Sequence, residues 1–439
     1  MTLPEYYGIL GNLIPQNNKV KLRIKIMKTQ NKISKKKIIN ITIITMLVIM
    51  SACNNKKDSK KDDSITQSKV SIVDSIMKPI DSVITKKMKA SGIVGLGAAV
   101  FVNKELVWLK GFGYADRENK APFTINTIMN VASISKTFVG VSIMQAVEDG
   151  LVSLDEDINT YLPFKIVNPY FPNEKITLRD LATHTSSLAD DYEVYNKSYH
   201  YGNEVPEDLG SFLKNYYTPN GKHYSNKNFL NKKPGAYRDY SNIACGLAGY
   251  IIEIKSGKKF NEYTKQIIFN PLKMDNTGWF LSEIDMDNHS KQYEKQGDTI
   301  KNIPLFKLTD YPAGGVRTSI TELSKFFTAL INEGEYNDVR ILKKERMQEM
   351  LEFQFTKSNK PENINLKEPN KNSGIFWATK RDVTLIGHGG TDDGVKTEMF
   401  CNLSKDIGVI LFSNTGRVSV TGIYNELWKY GKMIRKATN

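Results

Sequence analysis

The chain has 439 residues, with 61 Lys and Arg against 47 Asp and Glu, for a formal charge of +14 at pH 7. Residues 1–52 hold nine of the basic residues and one acid, Glu5, so they carry +8 of that charge and leave +6 on the rest. An excess of that size, with no helical basic stripe interleaved with aromatics, does not indicate nucleic-acid binding.

The first 52 residues read as a leader. Lys35-Lys36-Lys37 precede the 13-residue apolar run Ile38–Met50, and Ser51-Ala52-Cys53 follow. A basic segment, an apolar segment and small residues before a cleavage site match a secretory signal. The run is too short to span a bilayer comfortably. The cysteine at that point resembles a bacterial lipobox, with Met50 where leucine is usual. On that reading Cys53 is lipidated, and the protein is an exported lipoprotein anchored to the membrane on the periplasmic or cell-surface side. An ordinary signal peptide or short anchor is the alternative. Met27 would begin a signal of more usual length than Met1 does. Asn54–Ser68 is polar and charged, so residues 53–72 read as a flexible tether. Residues 73–439 are generous for one large domain with an inserted lobe.

Asp74–Lys89 reads as an amphipathic helix, and Gly95–Val102 with Glu105–Tyr114 as a two-stranded hairpin. Ser133–Gly150 reads as one helix. Phe138, Val139, Val141, Ile143, Met144, Ala146 and Val147 make it apolar nearly all round, hence buried, and Gly150 suits its C-terminal cap. A mostly helical and looped middle follows, about 145–340. Tyr192–Pro234, rich in Tyr, Asn and Lys, suggests long loops walling a cleft. Ile243–Ile254 is a second apolar helix. From Gly374 the pattern turns to strands: Ile375–Lys380, Val383–Gly387, Lys396–Asn402 and Asp406–Ser413. A helix, Val420–Arg435, closes the chain. The class is α+β: an antiparallel sheet built from both ends of the domain, flanked by N- and C-terminal helices, plus a mostly helical lobe. Cys245 and Cys401 lie in apolar stretches and read as buried free thiols, with a disulfide left open for an exported chain. The five histidines form no metal-ligand spacing, and no glycine loop suits a phosphate, so no metal or cofactor is expected.

Three short motifs carry the chemistry. The pattern S-x-x-K starts at Ser34, Ser75, Ser133, Ser211 and Ser256, and Y-S-N starts at Tyr224 and Tyr240. Local context selects among them. Ser133 and Lys136 share one face at the start of a buried helix, and Gly140 on that face leaves room beside them. A serine hydroxyl needs a base, and a desolvated lysine with a lowered pKa can serve. The helix N-terminus favours an alkoxide. The competing reading is that Ser133 merely caps the helix beside a solvated lysine. Tyr240 precedes an apolar helix that Ser241 or Asn242 can cap, whereas Tyr224 sits in a polar stretch. A phenol beside an ammonium can act as base and return the proton to a leaving group. His388-Gly389-Gly390 follows an apolar run, at the end of a strand. Its glycines let a substrate approach the backbone, the Thr391 amide can point at an oxyanion, and His388 can supply a proton, a hydrogen bond or partial positive charge.

Ser133-Ile-Ser-Lys136, Tyr240-Ser-Asn242 and His388-Gly-Gly390, in this order, resemble the serine β-lactamase and penicillin-binding-protein superfamily. The branch is that of class C β-lactamases, D-alanyl-D-alanine carboxypeptidases and related esterases. Ile176–Leu188 resembles its helix ending in H-T-S-G-L, and Pro312–Thr318 its A-G-G turn. The resemblance runs from about residue 75 to 435. It implies that Ser133 is the acylated nucleophile and that Lys136 and Tyr240 share the base role. It implies that Asn242, His388, Gly389 and Gly390 bind substrate, and that the amides of Ser133 and Thr391 form the oxyanion hole. The implied activity is acyl-enzyme hydrolysis of a small-molecule or peptide amide or ester at the cell envelope. A D-amino-acid peptidase, carboxypeptidase or esterase ranks above a true β-lactamase or a non-catalytic binder of cell-wall peptides. Two departures stand out. His-Gly-Gly replaces Lys-Thr-Gly, removing a full charge suited to a substrate carboxylate. Ser187 replaces the usual glycine after His184, whose expected role is structural, at a helix end bonding a loop.

Overall fold

The computed structural model describes residues 69–202, 205–366, 372–380 and 384–438. The leader, Cys53 and nearly all of the tether lie outside them. Residues 69–77 are helical, and a second helix, α1 (Ile80–Ser91), follows after a break at Lys78-Pro79. The single helix expected over Asp74–Lys89 is therefore interrupted. Proline has no N–H to donate and its ring crowds the preceding turn. Ile80, Ile84 and Met88 give α1 a buried stripe at spacing four, and Gly92 in the left-handed region caps it.

Eight strands form one antiparallel sheet: β1 (Gly95–Val102), β2 (Glu105–Asp116), β3 (Ala121–Pro122), β4 (Ser373–Gly374), β5 (Trp377–Lys380), β6 (Leu385–Asp392), β7 (Val395–Asn402) and β8 (Ile407–Ser413), in spatial order β4-β5-β6-β7-β8-β1-β2-β3. The expected closure holds: β1 pairs with β8, Leu96 opposite Ser413 and Val102 opposite Ile407. Both faces of β1 are buried, so it reads as a continuous apolar run. Alternation still sorts its side chains. Leu96, Ala98, Val100 and Val102 join one core with α1 and the final helix, while Ala99 and Phe101 join the other.

That second core is built on α2 (Ser135–Glu148), α3 (Leu178–Thr183), α4 (Leu209–Tyr217), α5 (Asn242–Ser256), α6 (Ile320–Ile331) and α7 (Lys344–Leu351); α8 (Thr421–Thr438) covers the far face. α2 begins with a 3₁₀ turn, Ala132–Ile134, and Gly150 stands in the left-handed region just past its end. Two expectations change. Tyr192–Pro234 is not only loop, because Leu209, Phe212, Leu213, Tyr216 and Tyr217 form an apolar stripe behind the Asp208 cap and fold as α4. The helical lobe does not reach 340 either, since α6 packs against β1, β2 and β8. Cys245 and Cys401 are buried free thiols.

Candidate active site

The turn that carries Ser133 is held from three sides. The Val131 N–H donates to Val316 O (2.9 Å), the Ala132 N–H to Asn130 Oδ1 (2.8 Å), and Asn130 Nδ2 to Gly314 O (2.9 Å). Thr397 Oγ1 on β7 donates to Val131 O at 3.0 Å. Ala132 sits at φ +49°, a left-handed conformation that costs a non-glycine residue about 1 kcal/mol. That turn places Ser133 at the mouth of a buried helix while leaving its side chain partly exposed. The close approach of β6 explains Gly390. A Cβ there would lie 2.6 Å from Val131 O and 2.9 Å from the Ala132 Cβ. Gly390 thus seats the strand against the turn that carries Ser133. A Cβ on Gly389 would lie 3.0 Å from Glu398 Oε2. Gly140 does not leave room beside the serine; its missing Cβ accommodates Ile375 O at 2.7 Å.

Lys136 is fully buried and its three donors are all engaged: Ser133 Oγ at 3.3 Å, Asn242 Oδ1 at 2.9 Å and Ala313 O at 2.6 Å. The A-G-G turn thus contributes a carbonyl to the lysine. Burial pulls the Lys136 pKa down, but Tyr240, Cys245 and Asp310 outweigh it and hold the pKa above the ordinary lysine range. The lysine with a lowered pKa is therefore corrected: three acceptors around one amine stabilise the ammonium.

Tyr240 stands one residue before the Ser241 cap of α5, whose Oγ accepts the Ala244 N–H at 2.9 Å. The Lys136 ammonium lies 5.1 Å from the Tyr240 ring centre. The His184 ring packs 4.3 Å from Tyr240, and its Nδ1 accepts the Ser241 N–H at 3.3 Å. Burial depresses the His184 pKa far below the usual imidazole range, so it works as a neutral wedge that fixes the tyrosine loop, as expected. The other Y-S-N copy lies elsewhere: Tyr224 packs on Phe229, and Ser225 caps the turn Asn226–Asn228.

Asp190 was not legible in the sequence. Its carboxylate clasps the N-terminus of α5, accepting from Ser241 Oγ (2.6 Å), the Asn242 N–H (2.7 Å), Asn242 Nδ2 (3.1 Å) and the Ile243 N–H (3.1 Å). Anions belong at helix N-termini, but 52 residues separate Asp190 from Asn242 and no local spacing links them. Asn242 bridges this acid to Lys136, which leaves one of its amide N–H groups for a substrate. Asp310 was missed too. It is buried, neither carboxyl oxygen has a partner among the described residues, and burial raises its pKa well above the carboxylate range.

His388 lies mid-strand in β6, not at a strand end. It is buried, and its Nδ1 donates to Gly389 O at 2.6 Å. Burial first, then the Lys136 charge, lowers its pKa to about 3. It is neutral at physiological pH, so the expected partial positive charge and proton supply are withdrawn and a hydrogen bond remains. Its ring is 6.4 Å from that of Tyr240. Thr391, opposite Lys396, follows the residue that touches the turn carrying Ser133.

The antiparallel sheet and the helical lobe, with the Ser–Lys–Tyr cluster at their junction, define a β-lactamase-type α+β fold. The Beta-lactamase family model matches residues 80–425, and the chain belongs to that family. It is 24% identical over 338 residues to protein flp of Staphylococcus aureus (strain MRSA252), covering 76% of this chain and 62% of that protein, so it spans about three fifths of this curated relative. A D-amino acid amidase from Ochrobactrum anthropi SV3, solved with L-phenylalanine, superposes with a TM-score of 0.65 at 23% identity, covering 83% of this chain and 99% of that one. An octameric penicillin-binding protein homologue from Pyrococcus abyssi gives 0.64 at 23%, covering 81% and 77%.

Proposed function

We propose that this protein is a serine hydrolase that cleaves an amide or ester through an acyl-enzyme on Ser133. The observation that carries this reading is the Lys136 ammonium, 3.3 Å from Ser133 Oγ and 5.1 Å from the Tyr240 ring centre. Tyr240, with the buried Lys136 ammonium beside it, takes the Ser133 proton as the oxygen attacks. The same phenol then protonates the leaving group, and water repeats the cycle in reverse. Lys136 acts as a fixed cation, held by Ala313 O and by Asn242 on its Asp190 anchor. The Ser133 and Thr391 amides receive the oxyanion, and the free amide N–H of Asn242 receives the substrate.

A peptidase of the D-amino-acid type or an esterase fits better than a dedicated β-lactamase. His388 is neutral where a penicillin carboxylate calls for a full charge. A D-amino acid amidase among the structural neighbours is consistent with that ranking. The test is intact mass and turnover with p-nitrophenyl acetate and, separately, a penicillin. Wild type should form an adduct or turn over, faster with the ester; Ser133→Ala should do neither. Lys136→Ala should lose roughly 10²–10⁴-fold in rate, the usual scale for proton-transfer machinery. Equal turnover by Ser133→Ala would sink the mechanism.

A further inference from the structure

The positive charge of the folded domain is concentrated on two helices. Residues 72–439 carry a net +4. Residues 72–91 and 421–438 together hold eight basic residues against three acids, a net +5, and residues 92–420 between them hold −1. The two segments contain α1 and α8, which cover the far face of the sheet from one shared core. The helices lie side by side. Lys87 Nζ is 3.6 Å from Glu426 Oε1, and a Cβ on Gly422 would lie 3.7 Å from Lys87 Nζ.

Burial sorts their side chains. α8 turns its aromatics, Tyr424, Trp428 and Tyr430, into the core. Lys429, Lys432, Met433 and Lys436 share its exposed side at spacings of three, four and seven. α1 buries Ile80, Ile84 and Met88 and exposes Lys86 and Lys89, with Lys78 just before it. The acids do not balance this side. Asp81 pairs with Lys110 at 2.5 Å, and Glu426 is shared between Lys87 and Lys429, at 3.7 Å from the latter. Asp74 is the third acid of the two segments, and Arg435 takes Asp406 at 2.6 Å. Lys78, Lys86, Lys89, Lys432 and Lys436 make no ion pair among the described residues. Unpaired like charges on one face repel each other and attract a surface of opposite sign.

We infer that α1 and α8 form a docking surface for an anionic lipid bilayer, with this face of the domain against the headgroups. Lysines clustered on the polar side of amphipathic helices suit anionic lipid, each adding roughly fivefold to the affinity near the leaflet. Met433, 44% exposed among them, suits the headgroup boundary. A single-stranded nucleic acid fits worse, because the aromatics it would stack on are in the core. The reading of Cys53 as a lipid site, 19 residues before Ile72, supports the same occupant: the lipid would bring the domain to a membrane, and the basic face would decide which side meets it. Docking leaves the cleft free, since α2, which follows Ser133, packs on the other side of the sheet.

The probes are vesicles of phosphatidylcholine alone and of phosphatidylcholine with about a third phosphatidylglycerol, with binding of the full-length protein read by co-sedimentation. Residues 1–52 are basic too, so the decisive comparison is between variants that share them. One variant combines Lys86→Glu, Lys89→Glu, Lys432→Glu and Lys436→Glu. The other makes the same change of charge on the helical lobe, with Lys197→Glu, Lys214→Glu, Lys227→Glu and Lys265→Glu, all exposed. Wild type and the lobe variant should bind anionic vesicles alike, and tenfold or more above neutral ones. The face variant should lose tenfold or more on anionic vesicles and nothing on neutral ones. Salt at about 1 M, where the Debye length falls to about 3 Å, should remove the wild-type preference. Thermal unfolding checks that both variants fold; should the reversals destabilise, glutamine at the same positions carries the comparison with a loss of threefold or more. Equal binding of wild type to the two vesicles, or equal losses in the two variants, overturns the inference. Capture of soluble polyphosphate that needs the four face lysines, without vesicle binding that needs them, also overturns it and assigns the face to a soluble polyanion.

Discussion

Three residues beside the site hold left-handed backbone without being glycine: Ala132 at φ +49°, His184 at φ +60° and Ser187 at φ +64°. Ser187 stands where glycine is usual, and its hydroxyl explains how it is tolerated. The single Ser187 O–H is shared between the loop carbonyls Lys232 O and Leu230 O (3.1 Å), and Oγ accepts from Asn168 Nδ2 at 2.9 Å. Strain of about 1 kcal/mol is thus set against hydrogen bonds worth about 0.5–1.5 kcal/mol each. The pair Ser187→Gly and Ser187→Ala separates the two terms. Both lose the hydroxyl, but only alanine keeps the strain. Urea unfolding should place Ser187→Gly within about 1 kcal/mol of wild type and Ser187→Ala about 1 kcal/mol below the glycine variant. Equal stability of the two would mean that the positive φ stores no strain there.

At the scale of elements, α5 organises the site more than any other helix. Its N-terminus carries Tyr240, Ser241 and Asn242 on the Asp190 clasp, and its second turn makes room for Asp310. A Cβ on Gly246 would lie 1.7 Å from Asp310 Oδ1 and 2.8 Å from its Cγ. Gly246→Ala should therefore destabilise strongly, by about 3 kcal/mol or more, since overpacking against a side chain fixed in a core forces backbone shifts. The Asp310 oxygens have no partners to lose, so Asp310→Ala should be tolerated and should rescue Gly246→Ala. A double-mutant cycle read by thermal unfolding should give a coupling above about 1.5 kcal/mol; simple additivity would place the carboxyl elsewhere. These two positions also mark where reading the sequence stopped. Ser133, Lys136, Tyr240, Asn242 and His388 were legible because each stands in a short motif at the edge of an apolar element. Asp190 and Asp310 were not, because each meets its neighbours in space across a long stretch of chain and neither has a local pattern. Gly140 misled for a related reason: it read as room beside Ser133 and Lys136, but its missing Cβ makes way for Ile375 O, from a turn far along the chain.

Across the whole molecule the sheet was legible, since alternating apolar runs at both ends of the domain can be buried on both faces only if they pair with each other. Its polar interior was not legible, and it sets how stability responds to acid. His184 and His388 are buried and neutral; their pKa values fall, His388 to about 3, chiefly through burial. Unfolding returns them to about 6.5, so the unfolded chain binds their protons first. Their stabilising contribution is complete above pH 6.5 and drains away as pH falls below it, for His388 toward about 3. Asp310 and Asp392 behave oppositely. Burial raises both, Asp392 to about 7, so the native state holds their protons while the unfolded chain has shed them. Their contribution is complete below about pH 4 and is lost as pH rises, for Asp392 through about 7. Between pH 4 and 6.5 the two sets oppose, and the wild type should lose little stability across that window. Removing one histidine exposes the imbalance. His388→Gln keeps a donor for Gly389 O without a titrating ring, so relative to wild type it should gain about 2 kcal/mol between pH 7 and pH 5. Urea unfolding at the two pH values reads that difference directly. A difference that does not change with pH would mean that His388 takes up its proton in the folded protein, which would restore to it the charge that its burial has been argued to remove.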